Sequence, residues 1–304
     1  MSLSESSVDY DQHLDTARRR VMTESSRSPT VRRRRLATEL RRLREAAGLT
    51  MEDAGEALDL SRATISRIEA GKTARPRPRD IRDMLDRYGV TDPQEREAIM
   101  ELARGARERG WWEQYKGVFT GTFVGLEAEA SKLRTFEPLV IPGLLQTPEY
   151  AAALTRASLV RDPAEVARHV EARMRRQEIL ARENPPRYWA IIDEAALLRP
   201  IGGADVRREQ IRKLIDTSPL DHVTVQVMPM SAGPHVGLWG QFVILDFNSE
   251  TDRSLVYVET PTDGLYLEEP DHVERYTLMF QHLCADALGA DASIAYLSSM
   301  VDRL

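Results

Sequence analysis

The chain has 304 residues, 42% hydrophobic and 30% charged, enough for two domains with cores of their own. No apolar run approaches the ~20 residues of a membrane-spanning helix, and the polar start Met1-Ser2-Leu3-Ser4-Glu5 is unlike a secretory signal, so a cytoplasmic protein with no membrane partner is expected. The net charge of −6 is uneven: from Val31 to Asp80, 13 Lys and Arg stand against 8 Asp and Glu, a local +5 that leaves −11 for the rest. A basic module on an acidic body fits a nucleic-acid-binding head, although a basic run such as Arg32 to Arg35 by itself does no more than solvate a helix.

Residues 1–30 carry few large apolar side chains and no sustained periodicity, which predicts a disordered tail. From Pro29, apolar Leu36, Leu40, Leu43 and Ala47 recur at helical spacing until Gly48, a left-handed stop. Thr50 can cap a second helix whose small Ala54, Gly55 and Ala57 allow another helix to cross closely. Ser61 can cap that third helix, with Ile65 and Ile68 on its buried face. The residues left outside, Arg62, Ala63, Thr64, Ser66 and Arg67, are short or basic and begin at the helix N-terminus. Such a face fits a major groove.

Gly71 stops the third helix, and Arg75-Pro76-Arg77-Pro78 reads as an extended basic connector. Ile81, Met84, Leu85 and Tyr88 mark a fourth helix ending at Gly89. Asp92-Pro93 opens a fifth, carried by Ile99, Leu102, Ala103 and Ala106 to Gly110. The pattern predicts a mainly α helix-turn-helix domain over residues 31–110. Trp111, Trp112 and Tyr115 then form an aromatic cluster, expected as a packed hinge rather than a ligand cage.

Over residues 111–304 the pattern predicts a mixed α+β domain. Helices are expected from Leu126 to Leu133, after Thr147-Pro148-Glu149, from Ala164 to Arg182 with Val166, Val170, Met174 and Ile179 inward, and from Val206 to Ile215. Strand-like runs are Tyr188 to Ile192, Val223 to Met228, Gln241 to Phe247, Leu255 to Glu259 and Leu265 to Glu268, with closing helices over Val273 to Leu288 and Ser293 to Leu304. Short links between consecutive strands favour an antiparallel sheet. Cys284, the one cysteine, excludes an internal disulfide and reads as a buried structural thiol.

The residues Leu43-Arg44, Gly48-Leu49-Thr50, Ser61, Ile65-Ser66-Arg67-Ile68-Glu69 and Gly71-Lys72 resemble the Xre family, the lambda Cro and repressor-like helix-turn-helix domains. The resemblance implies an ion pair between Arg44 and Glu69 with a structural role. It places Arg62, Ala63 and Arg67 at base-reading positions, with Ser61, Thr64 and Lys72 nearer the phosphates. Here Ala54 replaces the usual large apolar residue, Gly55 the usual alanine, Asp59 the usual turn glycine, and Met51 a glutamine that often meets phosphate. The segments Gly110-Trp111-Trp112, Val124-Gly125-Leu126-Glu127-Ala128-Glu129-Ala130, Pro142-Gly143-Leu144-Leu145-Gln146-Thr147, Asp193-Glu194-Ala195-Ala196-Leu197, Ser231-Ala232-Gly233 with His235, and Tyr257-Val258-Glu259 look like the C-terminal domain of actinomycete Xre-type regulators related to WhiJ. That likeness implies a transcription factor, frequently encoded beside a small protein that it binds.

Asp193, Glu194, His222, His235, Glu259 and Asp263 are the one polar constellation of the body, yet the histidines lack a metal-ligand spacing and no nucleophile or phosphate-loop motif is present. No catalytic residue, metal or cofactor is expected. His235 reads as a loop histidine, Asp193-Glu194 as a helix cap, and Pro142 to Gln146 as a packing turn that could line a pocket. The function expected is sequence-specific transcription regulation at the nucleoid by a homodimer whose body binds a small neighbour-encoded protein or a ligand. The alternatives are an antitoxin-like module sequestering such a protein, or an enzyme brought to DNA by its head.

Overall fold

The computed structural model describes residues 29–73, 75–115, 117–119, 122–248, 253–260 and 264–304. The expected tail lies outside them, except that Pro29 and Thr30 already belong to the first helix. The chain divides into two compact units, with the boundary in the sequence between Trp111 and Trp112.

The first unit is helical: α1 (Pro29–Ala46), α2 (Met51–Ala57), α3 (Arg62–Glu69), α4 (Pro78–Arg87) and α5 (Pro93–Gly105). Local chemistry sets each boundary. Gly48, Gly71 and Gly89 turn the chain in the left-handed region at φ 69°, 65° and 73°, which glycine adopts without steric cost. Asp92 caps α5 by accepting from the Gln94 amide at 2.9 Å. Leu36, Leu40, Leu43, Ala54, Ile65, Ile68, Ile81, Met84, Leu85, Ile99 and Ala103 form one core. Three expectations are corrected. Ala47 is exposed because α1 has already ended, Pro78 starts α4 rather than closing an extended connector, and α5 ends at Gly105, five residues early. At that end the Arg32 side chain occupies the space beside Gly105 that any larger residue would fill.

The second unit is a six-stranded sheet in the order β3-β2-β1-β4-β5-β6, built from β1 (Lys132–Glu137), β2 (Arg187–Asp193), β3 (Val223–Met228), β4 (Phe242–Asp246), β5 (Leu255–Glu259) and β6 (Gly264–Leu267). Its helices are α6 (Phe123–Glu127), α7 (Pro148–Ala157), α8 (Pro163–Gln177), α9 (Glu194–Leu198), α10 (Ala204–Thr217), α11 (Pro270–Asp286) and α12 (Ala290–Asp302). The sheet is not wholly antiparallel: β1, β2 and β3 run parallel, and β4, β5 and β6 alternate. Helices α7 and α8 link β1 to β2, and α9 and α10 link β2 to β3, so both connections are long enough to return the chain to the same end of the sheet. The helix expected through Leu133 stops at Glu127, and Leu133 instead lies in β1 at the middle of the sheet.

Register assigns the faces, because cross-strand partners point to the same side. One face carries Phe136, Ile191, Met228, Phe242, Ile244 and Val256 and is covered by Phe280 and Leu283 of α11. Cys284 packs beside this cluster, half-buried, with its thiol pushed up to about 11 by burial. The other face carries Leu133, Thr135 and Glu137 on β1, Tyr188, Ala190 and Ile192 on β2, and, across β4, Tyr257 and Glu259 on β5. Helix α8 departs from the expected apolar stripe: Val166 is buried, but Val170 and Met174 are only half-buried. The small Ala172 sits in the interface, and Arg173 and Arg176 take the places beside it to bond Gln146 and Glu127.

Candidate nucleic-acid interface

Helices α2 and α3 are joined by a turn of four residues, and each helix is capped at its start. Thr50 Oγ1 accepts from the Asp53 amide at 3.1 Å while the Asp53 carboxylate accepts from the Thr50 amide at 2.9 Å, a reciprocal cap. The Thr50 hydroxyl, donating to the Asp53 carboxylate at 2.7 Å, and then the Thr50 amide hold that carboxyl below its ordinary pKa. Asp59 takes the left-handed conformation at φ 52°, which a short polar side chain tolerates. Gly55 is required by proximity: a Cβ there would stand 2.7 Å from the Leu60 carbonyl oxygen, and the Leu60 amide donates to the Gly55 carbonyl at 2.9 Å.

Ser61 opens α3. Its Oγ accepts from the Thr64 amide at 3.1 Å and lies 2.9 Å from Thr64 Oγ1, so these two hydroxyls are fixed against each other at the helix N-terminus. Ile65, Ile68 and Glu69 are buried, which leaves Arg62, Ala63 and Arg67 exposed, Thr64 and Ser66 half-buried, and Lys72 exposed just beyond the helix. Arg62 is not isolated. Its Nε is 2.5 Å from Glu52 Oε1 on α2, a partner that spacing along α3 could not reveal because it comes from the other helix of the motif.

Arg44 and Glu69 meet in the core of the head. Arg44 Nε donates to Glu69 Oε1 at 2.8 Å and Oε2 at 3.1 Å, Nη2 donates to Oε2 at 2.9 Å, and Nη1 donates to the Leu49 carbonyl at 2.7 Å. The hydrogen bonds to Glu69 raise the guanidinium pKa despite burial. Tyr88 lies beside them, its phenol pushed up by burial and by the Glu69 carboxylate. The basic run of α1 is partly tied back to its own unit: Arg32 pairs with Glu108 at 3.1 Å, and Arg42 with Glu39 and Glu95 at 2.8 and 2.9 Å.

Residues 35–99 match the family described as "Helix-turn-helix domain", the stretch that contains this capped turn and its buried pair. Residues 120–299 match the family described as "Domain of unknown function (DUF5753)", which spans more than half of the chain. The chain belongs to the DUF5753 family. No curated protein and no solved structure matches it.

The polar constellation of the DUF5753 domain does not converge on one place. Asp193 caps α9 by accepting from the Ala195 amide at 2.8 Å, and its other oxygen is 3.4 Å from His235 Nε2. Glu194 accepts from the Tyr296 hydroxyl at 2.5 Å and the Met230 amide at 2.8 Å. These contacts fasten the β3–β4 connection to the end of β2. His222 Nε2 is elsewhere, 2.9 Å from the Leu180 carbonyl oxygen, Glu259 ends β5, and Asp263 is outside the described residues. Among the described residues of the whole chain there is no group of three or more His, Cys, Asp or Glu able to hold a metal ion, and no helix is long and apolar enough to cross a membrane. Residue order concealed the surroundings of the Pro142–Gln146 turn, where Gln177, Gln210 and Lys213 converge on backbone carbonyls.

Proposed function

We propose that the protein is a sequence-specific DNA-binding transcription regulator of the Xre type, related to the WhiJ-like regulators, acting at the nucleoid as a homodimer. Arg62, Ala63 and Arg67 read base edges from α3 in the major groove, with Ser66 on the same DNA-facing side. Ser61, Thr64 and Lys72 contact phosphates around the helix N-terminus. The observation that carries the reading is α3 itself, a capped helix with Ile65 and Ile68 inward and Arg62, Ala63 and Arg67 outward. Dimerisation follows from arithmetic: one such helix spans too few base pairs to be selective in a genome, and two heads on a near-palindrome double the site. The body, residues 111–304, carries 19 Lys and Arg against 28 Asp and Glu, a net −9; it is repelled by DNA phosphates and is assigned to binding a small protein or ligand rather than to DNA contact or catalysis.

Selection of duplexes from a random pool by the full-length chain tests this. Two half-sites about one helical turn apart, preferred over random DNA by roughly a thousandfold or more, are expected. Recovery of duplexes with no shared sequence overturns the reading.

A further inference from the structure

The face of the sheet opposite α11 changes character at one end. Continuing the β1–β4 and β4–β5 registers places Glu137, Gln241 and Glu259 in one row on the same face, behind Thr135 and Tyr257. Two helices, α6 and α8, bring further charge to this row. Phe123 of α6 stacks on Tyr257 at 4.1 Å, the Arg176 guanidinium lies 5.0 Å over Phe123, and Arg176 makes a two-pronged ion pair with Glu127, with Nη2 to Oε1 at 2.7 Å. Arg176 is therefore neutralised. Arg173, one turn earlier on α8, is not: its Nη1 donates to the neutral Gln146 Oε1 at 2.7 Å, and no carboxylate is paired with it. Glu137 is the converse, a half-buried carboxyl that no hydrogen bond or ion pair reaches among the described residues.

The frame around these two groups is held firmly. Gln146 Nε2 donates to the Ile141 carbonyl at 2.7 Å, and the Tyr150 hydroxyl accepts from the Ile141 amide at 3.1 Å. Gln177 Nε2 bridges the Gly143 and Gln146 carbonyls at 2.9 and 2.8 Å, and Lys213 Nζ joins the Gln146 carbonyl to Gln177 Oε1 at 2.8 and 2.7 Å. These bonds fix the turn that follows β1, while Glu137 and Arg173 themselves lack a charged partner among the described residues. A buried charge without a partner is costly, and the two groups attract each other, yet no ion pair joins them. Burial, and then Glu259, push the Glu137 carboxyl up to about 8, while burial and Arg176 pull the Arg173 guanidinium down. A molecule with a cationic end and an anionic end would relieve both at once.

We propose that Glu137 and Arg173 form the two ends of a binding site for a small zwitterion of the α-amino-acid class, its ammonium on Glu137 and its carboxylate on Arg173. Arg173 is suited to the second role because a guanidinium offers a planar fork that matches a carboxylate. Glu259, farther along the row, adds negative potential on the ammonium side. This names the ligand class for the sensing role assigned to the body, and so rests on that reading.

The test is thermal unfolding of the full chain with each common L-α-amino acid in turn, followed by calorimetry of any that binds. One amino acid or a small related set is expected to raise Tm. Its carboxamide and its des-amino acid, each lacking one charge, are expected to bind about tenfold more weakly or worse, as are the variants Glu137→Gln and Arg173→Gln toward the intact amino acid. No stabilisation by any amino acid overturns the site, as does binding that survives unchanged in both variants. Operator selection is measured separately. A chain that selects DNA but binds no amino acid refutes this site alone, and one that binds an amino acid without selecting DNA refutes the regulator reading alone.

Discussion

Arg44 and Glu69 link the first helix of the head to the last residue of α3 through three hydrogen bonds, with side chains only 7% and 1% exposed. The pair fixes where α3 ends relative to α1, and the fourth bond, from Arg44 to the Leu49 carbonyl, fixes the entry into α2. Neither residue reaches the exposed face of α3. Glu69→Ala leaves a buried guanidinium with only the Leu49 carbonyl and the exposed Glu45 carboxylate, 3.6 Å away, as partners, and removing one partner of such a buried pair typically costs about 3–5 kcal/mol. Urea denaturation is expected to show that loss. At a temperature where the variant is still folded, its preference for operator over random DNA should equal that of the wild type.

Gly55→Ala sets two effects of opposite sign against each other. Alanine in place of glycine inside a helix favours the helix by roughly 0.8–1 kcal/mol. The added methyl, however, meets the Leu60 carbonyl at 2.7 Å and the Arg62 amide at 3.3 Å, which are backbone atoms that cannot rotate away. Opening the turn to admit it costs about 1–3 kcal/mol, so the contact wins and the variant is expected to be less stable than the wild type. Thermal unfolding decides the sign, and a higher Tm would mean that α2 and α3 separate at little cost.

The exposed side of α3 makes a prediction about selectivity instead. Arg62→Ala and Arg67→Ala should each reduce discrimination between operator and random DNA by about 1–3 kcal/mol if the arginine makes a two-pronged guanine contact. Stability should hardly move, since the Arg62–Glu52 pair is solvent-exposed and such pairs contribute at most about 1 kcal/mol. Glu52→Gln releases Arg62 from its competitor and is expected to tighten binding to all DNA. Competition titrations with both DNAs at fixed salt separate these effects, because a phosphate contact changes affinity on both and a base contact on one.

How far these features could be read without coordinates depends on the range of the interactions behind them. Caps and stops are local, so Thr50, Ser61, Gly48, Gly71 and Asp92-Pro93 mark their helices from neighbouring residues alone. Five of the six strands are visible as apolar runs. The exception, β1, reads Lys-Leu-Arg-Thr-Phe-Glu, and its alternation is short enough to be absorbed into the preceding helix. Missing β1 also hid where the sheet changes direction, since β2 lies parallel to it on one side and β4 antiparallel on the other. In the same way, Arg173 and Arg176 look like solvated charge on an amphipathic helix until Glu127, from 49 residues before Arg176, supplies the reason for turning inward.

Glu137 gives the second unit a characteristic dependence on pH. In the folded chain its carboxyl is raised to about 8 by burial and by Glu259, with Arg176 and Arg173 facing it and only partly compensating. In the unfolded chain it titrates near the ordinary value of about 4.3. Between those values the folded state binds the proton and the unfolded state does not, so stability is full below about pH 4.3 and is lost progressively as pH rises through 8. Glu137→Gln cannot titrate and has no such loss. The stability of the variant minus that of the wild type is therefore expected to be small near pH 4, to grow steadily through neutrality and to level off above pH 8. Denaturant midpoints at a series of pH values measure it, and a difference that stays constant across the series would show that the Glu137 carboxyl is ionised and compensated throughout.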